Sequence, residues 1–187
     1  TLRDAGMSAD DLDYLEAHGT GTALGDPVEM SAIAAVLRSG TARGEAQPLV
    51  MGAAKANVGH LEPAAGIVGL IKAVLVLQHE QAPPNAELKV LNPKISEVVK
   101  GVSVRFPTAL ESLRSWSGKG PGEALVAGVS SFGYAGTIAH AVLSQAPVGR
   151  SRRSVHDTSS HPLNAFGPRN VFAWRPAVHP LLQSEVA

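Results

Sequence analysis

Apolar residues come in short blocks separated by glycine, proline and polar turns, and the spacing within each block changes along the chain. Leu12 to Ala17 predicts a short buried strand after the turn Met7-Ser8-Ala9-Asp10-Asp11. A loop runs from His18 to Gly25, and Asp26-Pro27 opens a helix to about Leu37. Proline and the acidic Asp26 and Glu29 suit a first helical turn, and Ser39-Gly40 ends the pattern. Pro48 to Ala54 predicts a second strand, and Lys55 to Glu62 a second loop. Pro63 then begins a helix over Ala64 to Gln78 that is apolar nearly all round, which predicts burial on more than one side. Its small residues, Ala64, Ala65, Gly66 and Gly69, suit close approach of a neighbouring element.

Pro83-Pro84-Asn85 and Asn92-Pro93 mark an extended, turn-rich stretch. Val102 to Phe106 alternates as a strand does, and Ser115 to Gly122 reads as a loop. Ala124 to Ser131 and Ile138 to Ser144 form a last strand pair around the tight connection Phe132-Gly133-Tyr134-Ala135-Gly136-Thr137. Strand-helix-strand-helix-strand-strand-strand implies an α/β layer structure with a mixed sheet. The pattern stops after Pro147, which divides the chain into a domain over 1–147 and a linker or tail over 148–187. Arg150 to Pro168 is rich in Ser, Arg, His and Pro, as linkers are, and Val171-Phe172-Ala173-Trp174 could dock on a folded surface.

Composition narrows the class. The 187 residues are 44% hydrophobic, and 16 basic residues balance 16 acidic ones. Zero net charge argues against a face for nucleic acid or an anionic membrane. Four Phe, two Tyr and two Trp leave little for a base-stacking surface. The absence of cysteine excludes disulfides and thiolate metal sites. No segment reaches the roughly 18 to 20 apolar residues of a membrane span. Ala64 to Leu77, the longest, carries Gly66, Gly69 and Lys72 and reads as a core helix. No secretory signal opens the chain, and a start at Thr1 inside a patterned segment suggests a fragment of something longer. The expected location is cytoplasmic, organelle targeting being unreadable from such a start.

Candidate chemistry centres on two histidines in glycine-rich turns, His18 in Glu16-Ala17-His18-Gly19-Thr20-Gly21-Thr22 and His60 in Lys55-Ala56-Asn57-Val58-Gly59-His60. Imidazole polarises or protonates an oxygen near neutral pH, so two on parallel strand-to-loop junctions suit one shared carbonyl substrate. Lys55 and Glu62 could form a charge network that holds an imidazole neutral and oriented. The histidine spacing and the lack of an acidic ligand beside them disfavour a metal site. Gly19-x-Gly21-x-x-x-Gly25 misses the dinucleotide fingerprint by one residue, and the second strand runs into Lys55 rather than an acid. Gly128-Val129-Ser130-Ser131-Phe132-Gly133 does not match a hydrolase elbow. His79, His156, His161 and His179 read as surface residues, and His140 as packed in a strand.

These motifs resemble the β-ketoacyl synthases, and among them the ketosynthase domains of modular polyketide synthases. Glu16 to Glu29 resembles the family's first histidine motif, Lys55 to Gly66 the second, and Gly128 to Thr137 the closing glycine-rich loop. Pro83-Pro84-Asn85 and Asn92-Pro93 match similar segments, so the likeness covers roughly residues 10 to 147 in order. The resemblance implies a thiolase-like layered fold of two similar α/β halves, of which this chain is most of the second, in a homodimer. It implies a decarboxylative Claisen condensation between an acyl group on an active-site cysteine and malonyl on an acyl carrier protein. His18 and His60 would then stabilise the thioester oxygen, and Lys55 would fix the network around His60 with Glu62 as a partner. Thr20 and Thr22 would bond the phosphopantetheine arm that delivers substrate. Phe132, Gly133, Tyr134 and Gly136 would line the acyl site, this loop supplying a backbone donor to the oxyanion hole. No cofactor or metal is implied beyond that arm.

The chain departs from the family in three ways. Its nucleophilic cysteine belongs to the first half, which is absent here, so the isolated chain is expected to be inactive. Tyr134 stands where phenylalanine is usual, and Ala135 and Ile138 replace a common glycine and asparagine. Two other readings stay open: a non-catalytic partner, either a chain-length factor or a decarboxylase, and a thiolase acting on CoA esters. Both histidines and Lys55 weigh against the first, and the missing second cysteine against the other.

Overall fold

The computed structural model describes residues 1–40, 44 and 46–146, all within one compact unit. At its centre lie β1 (Tyr14–Glu16) and β2 (Leu49–Gly52), both buried throughout. The other principal elements are α1 (Gly25–Arg38), α2 (Lys55–Val58), α3 (Ala65–His79), β3 (Gln81–Ala82), α4 (Pro93–Val98) and β4 (Val104–Arg105). β5 (Glu111–Ser112), α5 (Arg114–Ser117), β6 (Val126–Phe132) and β7 (Ile138–Ser144) complete the fold. The five-stranded sheet has the order β4-β2-β1-β6-β7. β4, β2, β1 and β6 are mutually parallel, while β7 returns antiparallel through a hairpin. This is the expected mixed α/β sheet.

Strand alternation sends side chains to two cores. Tyr14, Val50, Ala127 and Val129 face α3 with Ala73, Val76 and Leu77. Leu15, Leu49, Met51 and Val126 face the opposite layer, with Met30 and Leu37 of α1 and Ile95 of α4. The strands are hydrophobic on both sides because both sides are covered, as in parallel sheets generally.

Several short elements differ from the sequence expectation. Lys55 to Val58 is a single helical turn rather than loop, and Glu62–Ala64 a 3₁₀ turn. The turn-rich stretch holds α4, with Pro93 in its first turn and the Asn92 side chain accepting the Lys94 N–H at 3.0 Å. β3 and β5 make a separate two-stranded sheet, and α5 occupies the start of the expected loop 115–122. None of these short elements contains an apolar run of its own for the pattern to register. The linker 150–168, the segment 171–174, the tail 148–187 and His156, His161 and His179 lie outside the described residues.

α3 corrects two expectations. Only one stripe, Ala65, Gly69, Ala73, Val76 and Leu77, is buried, whereas Ile67 and Ile71 are each 53% exposed. The helical run Glu62–His79 also reaches 18 residues, about 27 Å at 1.5 Å per residue, enough by length and composition to cross a bilayer. In this fold the helix instead packs on β6 and β1, and its Lys72 pairs with the buried Glu16 of β1 at 2.9 Å. An all-apolar surface fixes which helices are buried somewhere, not which of their sides this stretch of chain covers.

Truncation should separate the two faces. Leu125→Ala removes a fully buried core side chain and is expected to lower the unfolding free energy in urea by about 2–5 kcal/mol. Ile67→Ala on the open face is expected to cost under about 1 kcal/mol. Equal losses would contradict the layer assignment.

Candidate active site

The carboxyl ends of β1, β2 and β6 lie on one edge of the sheet, where open α/β sheets bind ligands. β1 runs on to His18, β2 into α2 and Lys55, and β6 ends at Phe132. The register therefore brings together three segments that are far apart in sequence.

His18 is clamped by its backbone. Its N–H donates to Glu29 Oε1 at 2.7 Å, and the Gly19 N–H donates to Glu29 Oε2 at 2.9 Å. Lys55 Nζ donates to the His18 carbonyl at 2.5 Å. Gly19 has φ +46, and a Cβ there would stand 2.7 Å from the Ala53 Cβ, so the turn requires glycine. Asp26 accepts the Gly21 N–H at 3.0 Å. Carboxylates of α1 thus take the loop amides that a phosphate would use, which removes the dinucleotide reading physically.

The ring of His18 is oriented as firmly. The Phe132 N–H donates to Nδ1 at 3.2 Å, and Lys55 Nζ stands 3.4 Å from the same nitrogen. Two donors aimed at Nδ1 require it unprotonated, so the neutral ring carries its hydrogen on Nε2. Burial first, then the Lys55 ammonium and the neighbouring His60, hold the imidazole pKa below its ordinary value, with Asp26 opposing. His60 follows the same rule: the Glu62 N–H donates to its Nδ1 at 3.0 Å. Gly59 before it adopts φ +78, and Glu62 takes φ +49, a left-handed conformation that costs a non-glycine residue about 1–2 kcal/mol. That conformation accompanies an amide turned onto the ring. The two imidazoles lie edge to face, 6.0 Å between centroids and 88° between planes, so one small group can touch both.

Lys55 departs from the expected pairing. It bonds His18, 37 residues away, rather than His60, and Glu62 meets His60 through its backbone. Burial lowers the Lys55 pKa, while Glu16, Glu29 and Asp26 oppose that fall. Glu29 is itself raised by burial against the two amides that lower it. Its part in holding His18 goes beyond the sequence expectation, in which an acid in the first helical turn signals only helix polarity. Asn85 likewise carries a role that its turn-forming context does not announce. Its side chain accepts from Ala53 N at 3.0 Å and donates to Met51 O at 3.1 Å, fixing the end of β2.

The remaining candidates surround this pair unevenly. Thr20 and Thr22 bring their hydroxyl oxygens to 3.4 Å of one another, and Thr22 Oγ1 accepts the Gly25 N–H. The Phe132 ring stacks at a tilt on His18, 5.1 Å between centroids. Gly133 and Gly136 build the hairpin turn through Gly133 N to Thr137 O and Gly136 N to Gly133 O, while Tyr134 at its tip is fully exposed. A cleft of about 540 Å³ runs from Thr20, Lys55 and His60 to Asn85 and Phe106. His79 is exposed at the end of α3. His140 packs in β7 with Nδ1 3.0 Å from Ser130 Oγ, and burial lowers its pKa.

Several known proteins are similar to this chain. Residues 1–89 match the family model described as "Beta-ketoacyl synthase, C-terminal domain". The chain is 48% identical over 142 residues to 6-methylsalicylic acid synthase of Aspergillus niger, covering 76% of this chain and 8% of that protein. It is 46% identical over 142 residues to a phenolphthiocerol/phthiocerol polyketide synthase of Mycobacterium tuberculosis, covering 76% of this chain and 7% of that protein. Among solved structures, ketosynthase twelve of the bacillaene polyketide synthase of Bacillus amyloliquefaciens superposes with a TM-score of 0.69 at 36% identity. The module 6 ketosynthase of the bacillaene synthase of Bacillus subtilis 168 gives 0.69 at 31%. Each superposition covers 78% of this chain and 24% of the other. The chain therefore spans under a tenth of these curated relatives and about a quarter of the solved ketosynthase chains.

The electrostatics can be tested by titration. The Lys55 cation disfavours a charged His18, so Lys55→Met is expected to move the His18 pKa up, toward the ordinary value of about 6.5. The ring Cε1–H resonance reports it by NMR. An unchanged or lower pKa would contradict the arrangement.

Proposed function

The chain belongs to the β-ketoacyl synthase family, and on that premise we propose that it supplies the two-histidine part of a decarboxylative condensing site. One observation carries the reading: each imidazole receives a backbone N–H at Nδ1, so each neutral ring offers its Nε2–H as a donor. Two preorganised donors aimed at one carbonyl oxygen stabilise the charge that develops on it.

In the proposed reaction a malonyl thioester, carried on the phosphopantetheine arm of an acyl carrier protein, loses carbon dioxide. The electron pair of the broken C–C bond passes into an enolate whose oxygen His18 and His60 hold. That carbanion attacks the carbonyl of a second, enzyme-bound acyl thioester. A new C–C bond forms, and the cysteine thiolate leaves. Lys55 keeps His18 neutral and fixes its carbonyl. Thr20 and Thr22 bond the pantetheine amides, and the loop Phe132 to Gly136 borders the acyl group, with Tyr134 reaching the substrate once the rest of the domain surrounds it.

The chain has no cysteine, so the nucleophile belongs to the preceding half of the domain. We assign the open face of α3 to contact with that half. The complete domain would act as a homodimer.

In a complete ketosynthase carrying this chain, His60→Ala is expected to slow condensation about 10²–10³-fold, the usual effect of losing one such donor. Unchanged turnover of malonyl-carrier substrate would contradict the assigned role. Mass spectrometry of the isolated chain with an acyl-CoA should find no acyl-enzyme, and a stoichiometric adduct would refute the division of labour.

A further inference from the structure

Directly beneath the histidines lies a buried charged cluster that the condensation does not use. Glu16 is 1% exposed at the end of β1. Its Oε2 accepts from the Tyr14 hydroxyl at 2.7 Å and pairs with Lys72 Nζ of α3 at 2.9 Å. Its Oε1 accepts the Ala54 N–H. Two glycines leave the necessary room. A Cβ on Gly52 would run into the Tyr14 hydroxyl and stand 2.9 Å from Lys72 Nζ, and one on Gly69 would stand 3.3 Å from Glu16 Cγ.

Burying an ion pair is a poor way to gain stability, since desolvation offsets most of the attraction and apolar packing does as well or better. The cluster's placement suggests another use. Ala54 immediately precedes α2 and provides no side-chain cap, so the Glu16 carboxylate takes the amide at the point where β2 turns into that helix. The next residue is Lys55, whose ammonium bonds the His18 carbonyl and approaches His18 Nδ1. One carboxylate therefore sits two residues before His18 in the chain and one hydrogen bond away from the residue before Lys55.

We propose that Glu16, held by Tyr14 and Lys72 in the space left by Gly52 and Gly69, is a positioning residue that fixes Lys55 against His18 through the Ala54 amide. The inference rests on the roles given above to His18 and Lys55. Glu16 also acts through its charge. Lys55 is faced by Glu16 from β1, by Asp26 and Glu29 from α1, and by the neutral His18. Burial lowers the Lys55 pKa, and the three carboxylates counter it, Glu16 most strongly. Removing the Glu16 charge lets Lys55 lose its proton at a lower pH. The ammonium is then absent from His18 over part of the alkaline range.

The test uses a complete ketosynthase carrying this chain, with Glu16→Gln and Glu16→Asp. Glu16→Gln is expected to lower kcat about tenfold, with KM for the malonyl-carrier substrate nearly unchanged. It should also move the alkaline limb of the pH profile down by about one unit, the size of a single neighbouring charge. Glu16→Asp keeps the charge but, one methylene shorter, draws the carboxylate back from the Ala54 amide. Its alkaline limb should stay in place while kcat falls, and it decides the matter if Glu16→Gln fails to fold. An independent readout is the pH dependence of Lys55 acylation by a small amine-reactive ester, followed by peptide mass spectrometry. It should shift down in Glu16→Gln and needs no catalytic turnover. A wild type that does not condense would sink the functional reading while leaving this titration to judge Glu16. An unshifted Lys55 titration, or a Glu16→Asp variant with wild-type kcat, would overturn the proposal.

Discussion

The hydrogen bond from the Phe132 amide to His18 Nδ1 ties the end of β6 to the end of β1, and the chemistry of the site depends on it. It exists because β1 pairs in parallel with β6 on one side and β2 on the other, so that all three carboxyl ends open together. A one-residue slip would turn Leu15 and Glu16 to the opposite faces and break both cores. The buried alternation of Tyr14, Leu15 and Glu16 thus fixes the register, and the register fixes the tautomer.

Around that bond, carboxylates hold the backbone. Glu29 takes two consecutive amides at His18, Asp26 takes one at Gly21, and Glu16 takes one at Ala54. All three face the cation Lys55. At Glu29 the two amides oppose the rise in pKa that burial causes. The result is a site with a neutral histidine beside a lysine ammonium, although burial alone disfavours the charge on both. Beyond burial, neighbours on other elements act on both groups, Lys55 on His18 and the three carboxylates on Lys55.

Much of this is legible from residue order. The two long helices, the central strands and the closing hairpin follow from periodicity and from the proline, glycine and acidic punctuation around them. β3, β5, α2 and α5 do not register, because none contains an apolar run of its own. A separation of five residues pairs Lys55 with His60 in the sequence, whereas the fold gives it to His18 across 37. Sequence nearness is a weak guide where a turn such as Gly59 redirects the chain. The exposed stripe of α3 is also unreadable: Ile67 and Ile71 look like core in the sequence, and nothing among the described residues covers them. The clamping roles of Glu16 and Glu29 lie in bonds to backbone amides, which no side-chain motif announces.

The central claim is that both imidazoles leave Nδ1 to accept a backbone N–H and carry hydrogen on Nε2, so that two donors meet one oxygen. Nitrogen-15 NMR of histidine-labelled protein at neutral pH reads this directly, since protonated and bare ring nitrogens resonate far apart. The account predicts a bare Nδ1 and a protonated Nε2 for both His18 and His60. An Nδ1–H tautomer at either position would contradict it.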